Sequence, residues 1–177
     1  ETMTNCFIAV FEHYKESKRR VFVIHHLTGR DQFVSLINFL QENIEKDEWH
    51  ISYNGLSFDS QVTEFILKHH EEWKDLSNDE IAVNIYRYAQ NLIIKDRSEP
   101  PDFPEWELSI KQIDLFKMNH WDNVAKRSSL KWIQFSMDWD NVEDMPLAHH
   151  APLETIEDIE LVIRYCINDV TSTKKIL

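Results

Sequence analysis

A chain of 177 residues, 42% hydrophobic and 12% aromatic, is long enough for one domain with a buried core and has ordinary globular composition. Its formal net charge of −12 argues against a protein that coats nucleic acid by charge alone, though not against an enzyme that grips it locally. The only two glycines, Gly29 and Gly55, are too few for the phosphate cradles of P-loop or Rossmann type.

Residues 6–11 (CFIAVF) and 20–26 (RVFVIHH) are rich in Phe, Val and Ile and predict two strands, with the charged stretch 13–18 as the turn of a hairpin. Gly29-Arg30-Asp31 predicts a helix start with Asp31 as cap, and Phe33, Leu36, Ile37, Leu40 and Ile44 share one helical face. A short strand is expected over 49–53, then a turn at Asn54-Gly55. A helix from about Ser60 would turn Val62, Phe65, Ile66 and Trp73 inward. Ser77 with Glu80 reads as a capping box ahead of another helix, with Ile81, Ile85, Tyr88 and Leu92 on one side. Residues 95–106, with three of the five prolines, read as a loop; 108–116 reads as a strand; SLKWIQFSM (129–137) reads as helical, and 138–153 as irregular.

The last helix, 155–177, has Ile156, Ile159, Val162, Ile163, Cys166 and Val170 at helical spacing. Thr155 or Glu154 can cap it, with acids in its first turn and Lys174 and Lys175 in its last, as the helix dipole favours. Asp169 stands in or beside the apolar stripe, with Tyr165 one turn back on the same side. A carboxylate buried there needs a partner, and a bound cation is one; the plain alternative is an edge position in water. The succession of elements predicts one α/β domain with a mixed sheet over residues 1–177.

Cys6 and Cys166 lie in apolar runs, so buried thiols in a reducing compartment are expected and no disulfide framework. No apolar run approaches the roughly 18 residues of a membrane span, and no signal-peptide pattern is present. No zinc-type spacing of Cys or His occurs, and the pairs His25-His26, His69-His70 and His149-His150 point different ways. Residues 138–160 hold eight acids and no Lys or Arg. Segment 111–131 is basic, with Lys111, Lys117, Lys126, Arg127 and Lys131 against Asp114 and Asp122, and reads as a phosphate-contacting stretch or a solvated face. A chain that opens on Glu and closes inside a helical pattern is expected to be a domain excised from a longer protein.

Asn54, Phe58 and Asp59 form Asn-x-x-x-Phe-Asp, and Tyr165 and Asp169 form Tyr-x-x-x-Asp on the closing helix. The pair, in this order, resembles the second and third motifs of the DEDD 3′→5′ exonucleases, as arranged in the proofreading domains of family-B-like DNA polymerases. The tyrosine subtype fits; the histidine subtype would need His five residues before Asp169, where Arg164 stands. The resemblance implies a ribonuclease-H-like α/β fold, a mixed sheet flanked by helices. It implies two divalent cations, Mg²⁺ or Mn²⁺, about 4 Å apart, that activate water and neutralise the phosphate. Asp59 and Asp169 would be ligands and Tyr165 would orient the attacking water. Phe58 would stack on a terminal base and Asn54 hydrogen-bond to it, with Lys126, Arg127 and Lys131 as substrate contacts.

The family's first motif, Asp-x-Glu, is the departure. Alignment on the hairpin puts its glutamate at Glu1, as a further metal ligand, and its aspartate two residues upstream, so the resemblance implies that this chain lacks one ligand and most of its first, central strand; Glu12 and Glu16 are the fallback acids. The implied substrate is a single-stranded or frayed DNA 3′ end, and the implied partner a polymerase domain or other replication protein. The implied location is the cytoplasm, of the host if the protein is viral. Two alternatives stay open: the same chemistry on RNA, and a catalytically inactive exonuclease-fold binding module.

Overall fold

The computed structural model describes residues 1–96, 99–120 and 128–177. Three strands, β1 (Thr2–Met3), β2 (Cys6–Glu12) and β3 (Arg19–Ile24), form an antiparallel sheet in that order. The register runs from Phe7 opposite Ile24 to Glu12 opposite Arg19, closed by a hydrogen bond from His13 N–H to Lys18 O (2.8 Å). The two residues of β1 carry no readable alternation, and only the resemblance, which aligns the end of a first strand with Glu1, points to a strand there.

Alternation along β2 and β3 divides the core in two. Phe7, Phe22 and Ile24 face one side and join a cluster with Phe33, Leu36, Ile66 and Ile85. Cys6, Ile8 and Val23 face the other and pack on Leu153, Ile159, Val162 and Cys166. The first side is covered by α1 (Asp31–Glu45), α2 (Asp59–His69) and α3 (Asn78–Ile94), and the second by α6 (Ile156–Ile176). Between α1 and α2 lies β4 (Trp49–Ser52), which pairs in parallel with β5 (Lys111–Asp114) as a separate two-stranded sheet. The short helices α4 (Leu115–His120) and α5 (Leu130–Ser136) follow β5. The architecture is mixed α/β, with helices on both sides of three plus two strands. Among the described residues no helix is long and apolar enough to cross a membrane.

Several expectations are corrected. Arg30, not Asp31, holds the cap position of α1, without a side-chain bond, and Asp31 is the first helical residue. Ile44 is exposed at the end of that helix. Trp73 is buried, but beyond the end of α2. The strand expected to run to residue 116 stops at Asp114, which accepts the Phe116 N–H (2.9 Å) and starts α4 as an N-cap does. In α5 the apolar Trp132 and Phe135 are 62% and 76% exposed, whereas the polar Gln134 is fully buried. The capping box on Ser77 and Glu80 forms as the sequence reading has it.

The chain entering α6 is held to the hairpin by a polar clamp. Asn5 Nδ2 donates to Leu153 O (2.9 Å) and Leu153 N–H donates to Asn5 Oδ1 (2.8 Å), with the buried His25 Nε2 3.0 Å from the same carbonyl. Buried backbone groups must be paired, and here the pairing fixes where α6 begins.

Candidate functional site

Asp59 reaches its place through the turn that follows β4. Asn54 adopts the left-handed conformation (φ 62°), which a short amide side chain tolerates. The buried Asp114 carboxylate accepts the N–H groups of Asn54 (2.8 Å) and Leu56 (3.1 Å), as well as that of Phe116. The end of β5 thus fixes the turn after β4, and Asp114 is spent on structure. Gly55 fits because a methyl there would lie 1.9 Å from Ser52 Oγ and 3.5 Å from Asp59 Oδ2. Asp59 follows as the first residue of α2.

Asp169 is delivered by α6. A capping box starts this helix: Thr155 Oγ1 accepts from Asp158 N–H (3.1 Å) and Asp158 Oδ2 accepts from Thr155 N–H (3.1 Å). Near its end Lys174 Nζ lies 2.9 Å from Glu12 Oε1, and Arg19 binds the other oxygen of Glu12 (2.6 Å). The fallback acids Glu12 and Glu16 are therefore occupied by cations, Glu16 by Lys18 (2.6 Å). Gln134 Nε2 donates to Asp169 Oδ1 (3.0 Å) and to Ser172 Oγ (2.7 Å). Tyr165, 8% exposed, also acts on the Asp169 carboxylate as a hydrogen-bond donor. Burial, with the charges of Asp169 and Glu1, holds its hydroxyl pKa above the usual tyrosine range, so it stays protonated.

Glu1, Phe58, Asp59, Cys166 and Asp169 line one recess of about 690 Å³ between β2, β4, α2 and α6. Glu1 is pinned there because it exchanges two backbone bonds with Ile8 (2.6 and 2.9 Å). Protein crowding around Asp59, with repulsion from Glu1 and Asp114, pushes its carboxyl up to about 6, against the pull of the Glu1 α-ammonium. The residue nonetheless keeps an exposed surface. It sits in an open recess with low-dielectric walls, so its charge is poorly solvated without being cut off from water. Burial raises the Asp169 carboxyl too, and Glu1 adds to this, against the hydrogen bonds of Gln134 and Tyr165 and the attraction of Lys131. Burial opposes the charge of the Glu1 α-ammonium, but Cys166, the Glu1 carboxylate and Asp59 outweigh it and push that group up to about 10. The recess therefore disfavours Asp59 and Asp169 in ionised form. His149, treated as a surface residue in the sequence reading, brings Nδ1 to 3.7 Å from Glu1 Oε2.

The chain matches no protein-family model, no curated protein and no solved structure. The chemistry of the site therefore rests on its residues alone.

The remaining expected site residues fall out as follows. Asn54 is exposed on the turn, where its backbone has the evident role. Lys131 pairs with Asp144 while still acting on Asp169. Lys111 pairs with Asp47 (2.6 Å) and Lys117 with Glu105 (3.5 Å), so the described cations of the basic segment all have acidic partners. Lys126 and Arg127 lie outside the described residues. Among the described residues, no group of three or more His, Cys, Asp or Glu side chains is placed to hold a metal ion. The acids share a recess without closing into a ligand set. The residue that sequence reasoning missed is Gln134; its one signal is a polar side chain at helical spacing from Leu130, which lines the recess.

Proposed function

We propose that this chain is a divalent-cation-dependent 3′→5′ exonuclease domain of ribonuclease-H-like fold. It would remove nucleoside monophosphates from single-stranded or frayed DNA ends, in association with a replicative polymerase. One observation carries the reading: Glu1, Asp59 and Asp169, distant in sequence, line one recess. Tyr165 stands against Asp169. The fold proposal is supported by an antiparallel meander beside a parallel strand pair, with helices on both sides.

The donor chemistry fits a hard cation, since all three acids offer carboxylate oxygens. Glu1, Asp59 and Asp169 are the residues that would hold it, after a movement that closes the set. Divalent ions, when bound, supply a more acidic water and neutralise charge at the phosphate. The protein's own contributions are separate. The protonated Tyr165 hydroxyl is a donor to Asp169 or to a water beside it, and Phe58 offers a ring that any base can stack on.

The inactive binding module is the second reading, favoured by the absence of a closed ligand set among the described residues. A 5′-labelled single-stranded DNA incubated with the full chain and Mn²⁺ separates the two. The exonuclease reading expects shortening in single-nucleotide steps, abolished by Asp59→Ala and by Asp169→Ala. Binding of the strand without any shortening supports the module, and undiminished shortening in either variant removes the carboxylate mechanism.

A further inference from the structure

We propose that His25 is an acid-released latch on the closing helix: a proton added to its ring unseats the chain that enters α6. The ring lies where several pieces of chain meet. His25 stands just past β3, and its carbonyl accepts from Asn78 Nδ2 at the start of α3 (3.0 Å). Asn5, between β1 and β2, brings Nδ2 to 3.3 Å from His25 Nε2. Leu153, just ahead of the Thr155 cap, places its carbonyl 3.0 Å from the same ring nitrogen. His25 and Leu153 are both fully buried.

The hydrogen bonds fix which nitrogen carries the proton. A carbonyl only accepts, so the hydrogen that Leu153 O receives sits on Nε2. Asn5 Nδ2 is a donor too, and gives its hydrogen to the same carbonyl (2.9 Å). Nδ1 accepts the N–H of Leu27 (3.2 Å), so it carries none. Each ring nitrogen is spent, one as donor and one as acceptor. A second proton must go to Nδ1, where it meets the Leu27 N–H, donor against donor, and that bond is lost. The turn concerned, 25–28, is also tied by the Thr28 hydroxyl, which donates toward Val23 O and His25 O (2.8 Å each). The imidazolium is in addition a charge without water around it, which is costly unless something pairs with it.

The neighbours do not supply that pair. The His26 ring lies 4.1 Å away between centroids and repels a charge on His25 when it is itself protonated. Asp79, on α3, attracts that charge, but its Oδ1 already accepts the His26 N–H (3.1 Å) and lies 3.4 Å from His26 Nδ1. Cys6, beside Asn5 on β2, is kept a neutral thiol by burial, and Glu154, beside Leu153, is exposed to water. Burial, with His26 adding to it, holds the His25 ring below the ordinary 6.5, against the bond to Leu153 O and the pull of Asp79. An opened ring therefore takes a proton at a pH where the closed one stays neutral, and acid favours the open form. The ring reaches water only by leaving Leu153. Acidity is thus coupled to the seat of the helix that carries Asp169, whatever the recess binds.

Amide hydrogen exchange read by NMR at pH 7.5 and 5.5 tests the latch, each rate taken relative to that of the unfolded chain at the same pH. An open form that takes one proton at about 6.5, which the closed form refuses, becomes about tenfold more populated over that interval. Protection should therefore fall about tenfold at Leu153, whose N–H donates to Asn5 Oδ1, and at Ile159 in the first turn of α6. Leu40, buried in α1, should keep its protection. His25→Gln retains an amide donor for the Leu153 carbonyl and cannot titrate, so it should lose the pH dependence, whereas His26→Gln should retain it. Protection at Leu153 that does not change with pH in the parent chain overturns the proposal and needs no variant. An equal loss at Leu40 also overturns it, since acid would then be unfolding the whole chain, and so does a loss that persists in His25→Gln. If that variant does not fold, ring ¹⁵N shifts of the parent decide: a hydrogen on Nε2 at pH 7.5 upholds the latch, and one on Nδ1 refutes it.

Discussion

A single carboxyl, Asp59, is held against its own charge by its surroundings. It keeps contact with water yet is crowded by protein, and Glu1 and Asp114 repel its charge. Its pKa stands at about 6 in the folded chain against an ordinary 3.8. Between those values the folded chain holds a proton there that the unfolded chain has lost. Stability contributed by this group is therefore lost as pH rises from about 3.8 through about 6. Asp59→Asn removes the titration and keeps the shape. The difference in urea midpoint between Asp59→Asn and the parent should grow in favour of the variant across that window and then level off. A difference that shrinks with rising pH would mean that the α-ammonium of Glu1 dominates the site and that the recess welcomes the ionised acid. On the proposed exonuclease reading, the same sign would make cation uptake strengthen with pH and release a proton below about 6.

At the scale of elements, Gln134 decides how α5 meets α6. Its amide is fully buried and divides its two N–H groups between Asp169 and Ser172, while its Oε1 has no partner. Gln134→Leu keeps the bulk and removes both donors. The expected cost is about 1–3 kcal/mol in denaturant unfolding, the range for leaving a buried group unpaired, with a rise in the Asp169 carboxyl pKa seen by NMR titration. An unmoved Asp169 titration would make Gln134 a packing residue only. This contact also marks where the sequence stopped being readable. The starts of α3 and α6 could be read because a cap is local: Ser77 or Thr155 needs only the residue three places on. The hairpin β2–β3 could be read from its β-branched and aromatic runs. Asp169 was singled out because it interrupts an apolar stripe. Gln134 could not be, because Trp132 and Phe135 beside it suggest the opposite inward face, and only the placement of α6 overrides that. Periodicity alone hides β1 for a related reason: two residues become a strand through a ladder with β2, and pairing leaves no periodic trace in so short a piece.

For the whole molecule, what matters is that the two acids belong to different cores. Asp59 begins α2, which packs with α1 and α3 on one side of the hairpin, and Asp169 rides on α6, which packs on the other. The recess lies where the two layers meet the unpaired strand edges. Loss of packing in one layer should therefore be separable from loss of the site. Ile85→Ala empties a fully buried position in the first core, and Ile159→Ala a nearly fully buried one on the inner face of α6. Each should cost about 2–5 kcal/mol, the usual range for a buried Ile cut back to Ala. Only Ile159→Ala loosens the helix that carries Asp169, Tyr165 and the partner of Gln134. Mn²⁺ affinity, measured by calorimetry at a temperature where both variants remain folded, should fall severalfold in Ile159→Ala and stay near the parent value in Ile85→Ala. Equal affinities in both would mean that Asp169 is held by its own hydrogen bonds rather than by the seating of α6 on the sheet. Gln134, at 3.0 Å, would then replace the second core as the determinant of site geometry.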